Sequence, residues 1–120
     1  TVSGNTGTYL SSNVLSGGVL YNTFSEIAAN NVTGGGILNN NVVTIVSNTI
    51  ANGDISSNQC VSIDNCSGGI KWITGNHISG SITAVNSDGL GDWQISNNNN
   101  NGNITGMLTA DLLGTVVNLP

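Results

Sequence analysis

Residues 37–50 read ILNNNVVTIVSNTI and contain one short pattern twice. Ile37, Asn40 and Val42 form the first copy, and Ile45, Asn48 and Ile50 the second. Each copy is an aliphatic residue, two small or polar residues, an Asn, any residue, and a second apolar residue. Working outward, the first copy recurs as Val19-Asn22-Phe24, Ile55-Asn58-Cys60 and Ile73-Asn76-Ile78, then degenerates as Ile95-Asn98-Asn100. Its leaders fall at 19, 37, 55, 73 and 95, with Leu113 as a candidate sixth, so the steps are 18, 18, 18, 22 and 18. The second copy recurs as Leu10-Asn13-Leu15 and Ile27-Asn30-Val32, then decays through Ile63, Ile82 and Ile104. Both series stretch together between Val85 and Trp93, which predicts one loop insertion there.

A fixed step of about 18 residues is the mark of a coil that stacks on copies of itself. At about 3.3 Å per residue, 18 residues close one coil of two or three short strands. The expected fold is therefore all-β, a parallel β-solenoid of about six coils whose handedness stays open. Aliphatic leaders would pile up inside. Asn22, Asn40, Asn58, Asn76 and Asn98 would form one amide ladder, each at a bend that needs left-handed backbone. Gly17, Gly35 and Gly53, with Gly18 and Gly36, mark a second tight corner. A β-sandwich with Asn/Gly turns is the competing fold, but it gives no reason for a step kept by two series.

The 120 residues suit a single domain, 1–120, with repeats over about 9–106 and a segment from 107 to 120 as cap or exchange strand. Only 6% of residues are charged, and the net charge of −5 includes one cation, Lys71. Such a surface excludes phosphate-backbone binding, so no nucleic-acid partner is expected. No apolar run is long enough for a membrane span. Abundant Asn, Ser and Thr suit a secreted or extracellular setting, on a cell or virion surface. Thr1 reads as a processed terminus or the edge of a fragment.

Stretches such as EIAANNVTG (26–34), TIVSNTIANG (44–53), KWITGNHISG (71–80) and QISNNNNNG (94–102) resemble the corners of the parallel β-helix superfamily. That superfamily includes pectate-lyase-like enzymes, phage tailspikes and surface adhesins. The resemblance implies a fold and carries no catalytic residue across. Coils there are usually longer than 18 residues, and neither a six-residue repeat, a regular Gln ladder nor an RTX nonapeptide occurs here.

Candidate chemistry is sparse. Asn86-Ser87-Asp88-Gly89-Leu90-Gly91-Asp92 resembles part of a calcium loop, with Asp88 and Asp92 as ligands for Ca2+ if the ion binds. Lys71, Trp72 and Trp93 would cluster beside that loop, where exposed indole faces could stack on a sugar. The blander reading has them covering the solenoid. Asn31, Asn65 and Asn103 each begin an N-glycosylation triplet. Cys60 and Cys66 bond only if a turn brings them together. His77 points outward with no second His, and no carboxylate pair other than Asp88 and Asp92 comes close in coil register, so catalysis is not expected. The column preceding the second series reads Tyr9, Glu26, Thr44, Ser62, Ser81 and Asn103, too irregular for a Thr ladder.

The functional expectation is a structural element, a subunit of a self-associating extracellular fibre or adhesin stacking head to tail. A binding module for ice or glycans, as a free domain or part of a tailspike, is the alternative.

Overall fold

A computed structural model describes residues 1–59, 71–78, 82–83, 93–100, 104–105 and 117–118. These residues wind into a parallel β-solenoid. Four coils each place one strand on each of three sides. The first side, sheet A, takes β1 (Val2–Ser3), β4 (Val19–Leu20), β7 (Ile37–Leu38) and β10 (Ile55–Ser56). Sheet B takes β2 (Thr6–Ser11), β5 (Thr23–Ala28), β8 (Asn41–Val46) and β11 (Lys71–Thr74). Sheet C takes β3 (Val14–Leu15), β6 (Asn31–Val32), β9 (Thr49–Ile50) and β12 (His77–Ile78). Beyond them, β13 (Ile82–Thr83) and β15 (Ile104–Thr105) extend sheet A, while the long β14 (Trp93–Asn100) continues B and C together. The last strand, β16 (Val117–Asn118), pairs with β14, with Asn118 in register with Asn98.

Aliphatics repeat because each side points one column inward. Val19, Ile37 and Ile55 line sheet A; Ile27, Ile45, Ile73 and Ile95 line sheet B; Val32, Ile50 and Ile78 line sheet C. All are buried, and burial of one such side chain contributes about 1.5–3 kcal/mol. No coil alone could shield its own column, so each depends on its neighbours. The stack begins at Val2, which pairs with Val19, ahead of the start near residue 9 that the sequence suggested.

The columns also correct the register. Ile73 and Ile95 stack on Ile45 in sheet B, whereas Ile82 follows Ile55 in sheet A and Ile104 follows Ile82. The two sequence series therefore exchange membership after Ile55. The cause is extra chain length: Gln59 still pairs with Asn41, and the next strand of sheet B begins only at Lys71. Across it the step from Asn48 to Asn76 is 28 residues, against 18 from Asn30 to Asn48. The stretch expected between Val85 and Trp93 is present as well, since the following step, Asn76 to Asn98, is 22 residues.

The corners follow a rule that the sequence pattern disguised. Left-handed backbone belongs to the residue before the ladder Asn at eight of the nine rungs, not to the Asn. At the corner from A to B these are Gly4, Tyr21, Asn39 and Ser57; from B to C they are Ser12, Ala29, Ser47 and Gly75. Six of these eight carry a side chain, with φ between 55° and 59°, each at a steric cost of about 1–2 kcal/mol. The third corner, from C to A, relies on closeness instead. A Cβ on Gly36 would strike the backbone of Asp54 in the next coil, so only glycine lets the two chains lie this near.

Ala29 is exposed and left-handed at φ 55°. Ala29→Gly removes the steric cost while loosening the unfolded chain, and should raise stability by about 0.5–1 kcal/mol in urea unfolding. The same change at its extended neighbour Ala28 should lower stability by about 0.5–1 kcal/mol.

Candidate functional site

Two corners are held by asparagine side chains that are buried inside the turn. Asn22, Asn30, Asn40, Asn48, Asn58, Asn76 and Asn98 are all shielded from solvent. A buried amide has two donors and two acceptor positions to satisfy. Asn40 shows how the site does so. Its Oδ1 accepts the backbone N–H of Asn22 at 2.9 Å and the Nδ2–H of Asn22 at 3.1 Å. Its own Nδ2 donates to the Val19 carbonyl at 2.8 Å in the coil before and to Asn58 Oδ1 at 3.0 Å in the coil after. One side chain thereby ties three successive coils. Aspartate could not replace it, lacking the donor and bringing a charge into the stack. Glutamine is one methylene too long for a side chain that meets both its neighbours' backbone and their amides.

The structure builds two ladders where the sequence suggested one. Asn5, Asn22, Asn40 and Asn58 stack at the corner between sheets A and B. Asn13, Asn30, Asn48, Asn76 and Asn98 stack at the corner between B and C. Asn76 and Asn98, grouped with Asn22, Asn40 and Asn58 on sequence spacing, belong to the second ladder. The reason is the step of 28 residues from Asn48 to Asn76, against 18 from Asn30 to Asn48, which moves every later repeat round by one corner. Asn5 was missed by the sequence pattern, because Val2 and Gly7 flank it where two bulky apolar residues were sought.

Asn5 and Asn13 are the lowest-numbered rungs of the two ladders. Asn5 and Asn13 each donate backbone N–H and Nδ2–H to the next coil, to Asn22 Oδ1 and Asn30 Oδ1 respectively. Their own Oδ1 atoms accept no hydrogen bond from any described residue. The same face leaves Leu10 and Leu15 half-buried, although Ile27 and Val32 directly above them are closed off from solvent. The large exposed apolar side chains among the described residues are Tyr9 (67% exposed), Val14 (79%) and Tyr21 (67%), all on the first two coils.

Other sequence candidates fall as follows. Trp72 is half-buried on the outer side of sheet B, in a column with Tyr9, Glu26, Thr44 and Gln94. The expected continuation through Ser62, Ser81 and Asn103 is therefore replaced, and those three lie outside the described residues. Trp93 pairs with Lys71, one register position from the pair of Trp72 and Gln94, so the two tryptophans take different register positions in sheet B. Asn31 is exposed on the outer side of sheet C, beside Val14 and Thr49. His77 is exposed on the same side, between Thr49 and Asn99. Asp88, Asp92, Cys60, Cys66, Asn65 and Asn103 lie outside the described residues. Among the described residues no three His, Cys, Asp or Glu side chains gather where a metal could sit. No described helix is long and apolar enough to cross a membrane.

No protein-family model matches this chain, and no curated protein or solved structure matches it significantly.

Truncating an interior rung should be costly. Asn48→Ala strands the Asn30 backbone N–H and the Ile27 carbonyl and leaves Asn76 Oδ1 with the backbone N–H of residue 48 alone, and should lose at least about 3 kcal/mol in urea unfolding. Asn13→Ala, which removes only the Nδ2 bonds to Ser11 and Asn30, should lose less than half as much.

Proposed function

We propose that the chain is an extracellular structural element, a subunit of a self-associating surface fibre or adhesin. The observation that carries this reading is the stack itself, in which sheet pairing and buried asparagine rungs bond each interior coil to the coils on either side. A row of unpaired strand groups is an invitation to another strand unless something covers it. Every interior coil of this chain meets that need by stacking on the next.

The distribution of chemistry supports a structural role over a catalytic one. The described carboxylates, Glu26 and Asp54, stand on different sides of the solenoid, with Glu26 on sheet B and Asp54 just before sheet A. Buried polar groups are spent on holding coils together. The outer columns are mostly neutral, with Thr6 and Thr23 in one and Ser11, Ala28, Val46, Thr74 and Ser96 in another. A surface solvated by hydroxyls and amides supports the extracellular assignment.

The test is the particle itself. Light scattering on the 120-residue chain should give a mass that grows with concentration, and negative-stain micrographs should show unbranched rods. Aligned rods should diffract at about 4.8 Å along their axis, the spacing of stacked strands. A chain that remains monomeric at the highest attainable concentration would overturn the proposal.

A further inference from the structure

We infer that the chain beyond Gln59 has two stacking registers: the one described above, with Asn76 on Asn48, and a second, in which Asn76 sits on Asn58 and the strands from Lys71 onward turn by one side of the solenoid. The inference is independent of how copies of the chain associate, because it concerns the order of coils within one copy.

The same six-residue corner serves both ladders. Val19 to Phe24 and Ile37 to Val42 turn from sheet A to sheet B, while Ile27 to Val32 and Ile45 to Ile50 turn from B to C. Each has a buried aliphatic leader, a left-handed third residue, a buried Asn in fourth place and a buried apolar sixth. The segment from Ile73 to Ile78 meets all four conditions, with Gly75 left-handed and Asn76 buried. Gly4 fills the left-handed place at the A-to-B corner, so a glycine suits either corner. Nothing within the segment selects a corner. The rung beneath it does.

Two rungs can receive it. In the described register Asn76 Oδ1 accepts the Asn48 backbone N–H at 2.9 Å and its Nδ2–H at 3.1 Å, and Asn76 Nδ2 reaches the Ile45 carbonyl at 3.1 Å. Asn58 offers the same set. It is fully buried, its Nδ2 donates to the Ile37 carbonyl and its Oδ1 takes both donors of Asn40, while its backbone N–H reaches no described residue. Three residues after Ile82, the place Asn58 holds after its partner Ile55, the sequence has Val85, which carries no amide. In the second register Asn76 takes the Asn58 donors and the Ile55 carbonyl, and Asn48 gives up its rung. One ladder continues through Asn76 and Asn98 in either case, so like is exchanged for like. Spacing favours the second register: Ile37, Ile45 and Ile55 stand eight and ten residues apart, and Ile55, Ile63 and Ile73 repeat those steps. Opposing it is the sheet A pairing of Ile55 with Ile82 and Ser56 with Thr83. A gap this narrow leaves the minor state at about 0.1–10%. The switch also changes the surface. Trp72 would leave Thr44 for Asp54, and His77 would leave Thr49 for Gln59, so whatever binds one outer face selects a register.

Disulfide trapping separates the registers, in the full chain with Cys60→Ala and Cys66→Ala. Strands in register set their Cα atoms about 4.8 Å apart, within reach of a disulfide. Thr74 stands opposite Val46 in the described register and would stand opposite Ser56 in the second. Val46→Cys/Thr74→Cys should link as the major product. Ser56→Cys/Thr74→Cys should link more slowly, yet faster than Leu38→Cys/Thr74→Cys, which neither register brings together. Both linked products should keep the circular dichroism of the unlinked chain. Asn58→Ala should lower the yield of the 56–74 link relative to the 46–74 link by at least about threefold, and Asn48→Ala should raise it by as much, since each removes the amide donor of one receiving rung. A 56–74 link no faster than the 38–74 control, or one formed with loss of the strand signal, would overturn the inference. So would a ratio that the two Asn variants leave unchanged or move the same way, and so would a 56–74 link with no 46–74 link. Should Asn48→Ala or Asn58→Ala unfold, the three link rates measured without them still decide.

Discussion

The interaction on which the structure depends is the hydrogen bond from one buried asparagine amide to the next, repeated at two corners of the solenoid. A chain that bends sharply inside a narrow coil turns backbone groups away from the sheet ladders. In the interior those groups must find partners or cost about 1–3 kcal/mol each. The asparagine satisfies them from the inside. Asn40 serves the Val19 carbonyl in the coil before, accepts from the Asn22 backbone, and passes its own backbone N–H to Asn58. Its four hydrogen-bonding positions are filled, so the polar group costs little to bury. Six left-handed residues that carry side chains persist beside these asparagines, which implies that the ladder outweighs their steric cost.

The third corner is solved differently. No asparagine ladder stands between sheets C and A. Glycines do the work there, with Gly18, Gly36 and Asp54 stacked so that the Val19 N–H reaches the Gly36 carbonyl and the Ile37 N–H reaches that of Asp54. Two corners are thus fixed by a specific side chain and one by the absence of any. The division matters for how firmly register is held. A ladder rung accepts only an asparagine in phase, whereas a glycine corner only requires closeness. The asparagines set which residue stacks on which.

This explains how much could be read from the sequence. The solenoid, the inward columns through Ile37, Ile45 and Ile50, and the stacking of asparagine amides at a corner were all legible from a local pattern, because each coil imposes the same needs. The pairing after Ile55 was not. Eight residues ordinarily separate a sheet A leader from its sheet B counterpart, as Ile37 and Ile45 show. The step from Asn48 to Asn76 adds ten more, the amount by which 28 residues exceed 18. Eight and ten make one repeat length, so Ile73 falls 18 residues after Ile55 while standing on another side of the solenoid. Spacing alone could not separate a new coil from a long detour within one. The left-handed residue was hidden for a related reason. Gly, Tyr, Asn, Ser and Ala all fill that position, so the constant Asn beside it drew the conformational role.

That a detour of this size leaves the stack intact follows from the relative energies. Lengthening a closed segment from 18 to 28 residues costs only about 0.4 kcal/mol of closure entropy. The two hydrogen bonds from Asn48 to Asn76, formed across the detour at 2.9 and 3.1 Å, contribute more than that together. Ile73 meanwhile packs against Ile45 as though the intervening chain were of ordinary length. Coil length is therefore a weak constraint in this architecture, and the rung a strong one. The number of residues between two rungs can vary without disturbing the stack, because the ladders and columns alone fix which coil lies on which.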